Sequence, residues 1–129
     1  MKMSYFAIHQ APTPQAFFDV QNALYDLWGE SSINGVPDMT HLRLKFYEQL
    51  LQDVRKYQYV AAIEAESLEE VFEIGNCGPE GKIMRRAPMH SISVGDMIKS
   101  QDDECWIVMP RGFMRIGNVT KPQPELYYA

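Results

Sequence analysis

The sequence predicts an α+β fold, with an N-terminal strand and two amphipathic helices packed on a small, mainly antiparallel sheet that ends in a C-terminal hairpin. Three observations lead there. Short aromatic and β-branched runs bounded by turn residues occur at both ends of the chain. Between them lie two stretches whose apolar residues recur at three and four positions. The length of 129 residues suits a single core. The expected domain is residues 1–119, with 120–129 as a C-terminal tail holding two prolines and no periodicity.

Residues 3–9 (Met-Ser-Tyr-Phe-Ala-Ile-His) are short and aromatic and read as the first strand. Pro12 and Pro14 end it. Thr13 can cap a helix with Pro14 in its first turn, where a missing N–H costs nothing. Phe17, Val20, Leu24, Leu27 and Trp28 form the apolar stripe of that helix, and Gly29 can close it. Residues 30–38 contain Ser-Ser, Asn-Gly and a proline, and are expected as a loop. Leu42, Phe46, Leu50 and Val54 then predict a second helix.

Residues 57–63 end in a run apolar on both faces, the mark of an interior strand. Ser67-Leu-Glu-Glu70 is a capping box opening a short helix that Gly75-Asn76 should stop. Residues 82–86 suit a positively charged edge strand. Residues 91–100 and 105–109 are expected to pair as a hairpin turning near Asp102-Asp103, and residues 113–119 to add a strand. Alternation puts Trp106 and Val108 on one face, and Cys105, Ile107 and Met109 on the other.

The formal charge of −5 is unevenly spread: residues 1–77 hold five Lys or Arg against eleven carboxylates. That half would repel a phosphate backbone, so nucleic acid is a disfavoured partner. No apolar run approaches the roughly 20 residues that span a bilayer, so no membrane association is expected. Two cysteines, Cys77 and Cys105, are too few for a disulfide-stapled secreted domain, and the first ten residues carry no signal-peptide core. The expected compartment is the reducing cytoplasm, with both cysteines buried and free.

No motif names a reaction. His9, His41, His90, Cys77 and Cys105 fall in no metal-ligand spacing, so no metal is expected. His90, Ser91, Ser93 and Asp96 lie close in sequence. Neighbours on a strand point to opposite faces, however, and Ser93-Val-Gly-Asp96 reads as a turn in which Asp96 bonds backbone N–H groups. Gly75, Gly78 and Gly81 precede no helix and form no phosphate loop. No cofactor and no catalytic residue are assigned. The basic residues of the C-terminal half are interleaved with Met and aromatics, a common interface composition. Arg85, Arg86, Arg111 and Phe113 are the expected partner-binding residues.

Residues 68–76 (Leu-Glu-Glu-Val-Phe-Glu-Ile-Gly-Asn), residues 89–98 (Met-His-Ser-Ile-Ser-Val-Gly-Asp-Met-Ile) and Gly112-Phe113 resemble small accessory proteins of phages and plasmids. Those proteins carry a VFxLTN helix, an RSxSVGDV strand and a final GF, and are related in pattern to YodL-type domains. The resemblance covers about residues 57–117. The chain departs from it at Gly75, where threonine is usual, and at His90, where arginine is usual. It implies a mobile-element origin, dealings with host factors and no established catalytic residues. The expectation is therefore a small cytoplasmic interaction protein that binds a host or viral protein and modulates it. The alternative is a nucleic-acid-associated regulator using the C-terminal arginines. An enzyme with an unrecognised site ranks last.

Overall fold

A computed structural model describes residues 4–119; the expected tail lies outside the described residues. The fold is α+β. Strand β1 (Ser4–Gln10) leads into helix α1 (Pro14–Glu30), whose N-cap Thr13 accepts a hydrogen bond from Ala16 N–H. A two-strand ribbon follows, β2 (Ser32–Ile33) and β3 (Val36–Pro37), then α2 (Met39–Gln49) and the short α3 (Leu51–Val54). Next come β4 (Gln58–Ala65), α4 (Leu68–Cys77), β5 (Ile83–Arg85), β6 (Met97–Lys99), β7 (Cys105–Val108) and β8 (Phe113–Gly117).

Six strands form one sheet in the order β5-β4-β1-β6-β7-β8, antiparallel at every pairing. The N-terminal strand is thus interior, between β4 and β6. Met97 and Ile98 are adjacent on β6, so their side chains point to opposite faces. Met97 joins Cys105, Ile107, Met109 and Met114 in a core with α1, α2 and α3. Ile98 joins Phe6, Ile8, Ile63 and Val108 in a second core, covered by Val71 and Ile74 of α4. The sheet is therefore covered on both faces, and the predicted alternation across residues 105–109 holds. No helix among the described residues is long and apolar enough to cross a membrane.

Four local expectations are corrected. Only residues 97–99 of the expected strand 91–100 are in the sheet. Gly95, at φ +99°, turns the chain before β6, and side-chain amides rather than a neighbouring strand hold residues 90 and 92. The helix expected over 42–54 breaks at Leu50, whose φ and ψ of −123° and −12° leave the helical region. The 30–38 loop holds a ribbon turning through Asn34-Gly35, at φ +54° and +79°. Positive φ at both centre residues is the demand of a tight hairpin turn, which Asn-Gly meets. Finally, Gly75 does not stop α4. It lies inside the helix because a Cβ there would come within 2.8 Å of Ile92 Cγ1.

Candidate functional site

The turn after β1 and the segment running from Pro88 to Ser93 face each other across a groove of about 720 Å³. Pro12, Pro14, Phe17, Phe18, Pro88 and Met89 give it apolar walls. Phe18 stays 54% exposed although it is a large apolar side chain. Phe17 packs its ring 4.6 Å from the His90 imidazole and 5.2 Å from Phe18.

Beneath the groove lies a polar network built by Gln10, 2% exposed, and Asp96, 1% exposed. Gln10 continues the inward alternation of Phe6 and Ile8 along β1. Its Nε2 donates to His90 O and to Asp96 Oδ2, both at 3.0 Å, and its Oε1 accepts from His90 N–H at 3.3 Å. Asp96 Oδ2 also accepts from Ser93 N–H at 2.9 Å, the turn-closing bond expected of that aspartate. Asn76, at the end of α4, treats Ile92 as Gln10 treats His90. It accepts from Ile92 N–H at 2.6 Å and donates to Ile92 O at 3.1 Å. Two carboxamides thus stand in for a neighbouring strand along this wall of the groove.

The network fixes the imidazole. His90 Nδ1 lies 2.7 Å from Ser91 O, a distance that requires a proton on Nδ1. Both Gln10 amide protons are already committed to His90 O and Asp96. Asp96 Oδ2 is 3.9 Å from the same ring nitrogen. Burial pushes the Asp96 carboxyl up to about 6, partly offset by the Ser93 N–H, His90 and Gln10. Its Oδ1 has no hydrogen-bond partner among the described residues. Tyr57 donates to Gly95 O at 2.7 Å, and burial with the Asp96 charge raises its phenol. The Ser93 hydroxyl donates to Ser91 O at 2.9 Å. His90 and Ser91 lie in a clamped loop and not on a strand, so strand alternation does not apply to them.

The four residues expected to bind a partner fall in two places. Arg85 ends edge strand β5 and Arg86 follows it; Arg111 and Phe113 belong to the β7–β8 turn at the other edge. Five strand spacings separate those edges, on the order of 24 Å. Arg85 makes a two-pronged ion pair with Glu80, at 2.6 and 3.0 Å. Arg86 is exposed, and its N–H donates to the carbonyl of Val60, a residue of the groove wall. Arg111 is exposed, while Phe113 is half-buried against the α4-side core. Cys77 is exposed at the end of α4, contrary to the expectation that both cysteines are buried; Cys105 is buried, and both are free. Among the described residues no three His, Cys, Asp or Glu cluster as metal ligands.

Gln10, Phe17 and Phe18 escaped the sequence reading as site residues. Gln10 did leave a signal, since it puts a polar side chain at the next inward position after Phe6 and Ile8. No family model, no curated protein and no solved structure matches this chain.

Proposed function

We propose that this chain is a small cytoplasmic interaction protein, of the kind carried by phages and other mobile elements, that binds a host or viral protein and modulates its activity. The observation that carries this reading is the groove beside β1 and α1. Exposed Phe18, Phe17 packed against His90, the prolines and Met89 offer apolar anchoring area, and the Gln10–Asp96 network holds the wall rigid, so little ordering cost falls on binding. Arg86, exposed and bonded through its backbone N–H to the groove residue Val60, brings a positive charge into its neighbourhood.

Two features weigh against the other readings. Arg85 and Arg115 are already held by Glu80 and Glu104, which leaves fewer cations for a phosphate backbone. Catalysis through His90 would call for a hydrogen bond from a nucleophile to its ring, and among the described residues no serine hydroxyl makes one: that of Ser93 donates to Ser91 O.

Affinity capture from host lysate, with and without nuclease, tests the reading. A stoichiometric protein partner that survives nuclease and is lost with Phe18→Ala supports it. Capture that disappears with nuclease supports the nucleic-acid reading instead.

A further inference from the structure

A second concave surface lies along α4. The helix turns Glu69, Phe72 and Glu73 outward, spaced three and four apart on one face. Phe72 is 37% exposed and, with Glu69, lines a cleft of about 400 Å³ shared with Val94, Val108, Pro110 and Phe113. On the other flank of α4, Glu66, Glu70 and Glu73 line a depression of about 330 Å³ together with Lys82, three carboxylates against one cation. Glu48 is paired with Lys45, Glu80 with Arg85 and Glu104 with Arg115. Among the described residues Glu69 and Glu73 form no ion pair, and Lys82 is the one cation that shares the depression with Glu73.

We propose that the Phe72–Phe113 cleft docks a basic segment of a partner protein, with one aromatic or aliphatic side chain in the cleft and Lys or Arg along Glu69 and Glu73. Charge complementarity selects this occupant. Glu69 borders the apolar cleft, and Glu66, Glu70 and Glu73 line the other flank of the same helix with Lys82 as their one cation, so α4 presents a net negative surface that attracts cationic protein and repels both phosphate polymers and anionic lipid. Arg111, exposed between the cleft residues Pro110 and Gly112, sets the polarity: the basic residues run along α4, and the far end of the segment is neutral or acidic. This surface is separate from the groove beside β1 and α1, and its occupant does not depend on that site.

Amide NMR titration of the full chain with the peptide acetyl-Lys-Lys-Phe-Ala-Glu-amide is the test. The expected result is saturable shifts confined to α4 and residues 108–114. Affinity should fall about tenfold for the Phe→Ala peptide and for the Phe72→Ala protein, the loss of one buried aromatic anchor. The Glu69→Gln/Glu73→Gln protein should bind more weakly and lose most of the salt dependence. Phe18→Ala should bind as wild type. Shifts centred elsewhere, no saturable binding, or equal affinity for the Phe→Ala peptide would each overturn the proposal. Both sets of substitutions lie on the exposed face of α4, and unchanged spectra away from it verify the fold.

Discussion

Gln10 and Asp96 lie 86 residues apart, and the 3.0 Å hydrogen bond between them ties the end of an interior strand to the turn that launches β6. The same Gln10 side chain holds His90 by both its N–H and its carbonyl. One buried carboxamide therefore couples the sheet, the Ser93–Asp96 turn and the groove wall.

Gln10→Ala should destabilise the protein by about 2–4 kcal/mol, because it strips a partner from a buried carboxylate and leaves the His90 backbone unpaired. Denaturant unfolding at pH 7 measures this. A midpoint like that of wild type would show that the network carries no stability.

The half-buried His9 and the buried Asp96 should make opposite contributions to acid stability. His9 is held down to about 4 by burial and by Lys99, so the unfolded chain takes up protons before the folded one, and stability is lost as pH falls from about 6.5 toward 4. Asp96, raised to about 6 by burial, binds its proton earlier when folded, so stability is gained as pH falls from about 6 toward 4. Each shift of two units or so corresponds to roughly 3 kcal/mol, and the two nearly cancel in wild type. Asp96→Asn should expose a steep loss of stability on acidification, and His9→Gln a gain. Parallel pH profiles for the two variants would refute the assignment.

Gly75→Ala should destabilise the fold by about 1–2 kcal/mol. Overpacking against Ile92 and Ile63 outweighs the roughly 1 kcal/mol that alanine adds in helix propensity. Thr at this position should be worse, being larger and β-branched. Thermal unfolding reads both, and a stabilised Gly75→Ala would mean that Ile92 moves aside freely.

The two thiols should differ in reactivity. Cys77 is exposed, whereas Cys105 is buried with its thiol raised above the usual range by desolvation. A thiol reagent should modify one cysteine in the native protein and two after denaturation. Two fast thiols in the native state would contradict the packing of β7.

The regular elements were legible because their signals are local. The Thr13 cap, the Ser67 capping box and the alternation along residues 105–109 each require only a few neighbouring residues. The hairpin of β6 and β7 was legible for the same reason, but its length was not. Residues 90–92 have strand-like composition, yet the backbone of His90 and Ile92 is held by the side chains of Gln10 and Asn76, which lie 80 and 16 positions away. Gly75 misled for a similar reason: its purpose is the approach of Ile92 from a distant loop, which a one-dimensional pattern reads as a helix stop. The candidate site was least legible. Arg85, Arg86, Arg111 and Phe113 look like one group in sequence, but an intervening β4-β1-β6-β7 order puts them at opposite edges. The groove is made where the β1–α1 turn meets the loop before β6, a juxtaposition that only the sheet order creates.

If the groove beside Phe18 anchors a protein partner, the affinity of the captured partner for wild type and Phe18→Ala across a salt series will show it. The account predicts a loss on the order of 2 kcal/mol for Phe18→Ala with unchanged unfolding behaviour, and a shallow salt dependence that Arg86→Ala reduces further. Equal affinity of Phe18→Ala and wild type at every salt concentration would contradict it.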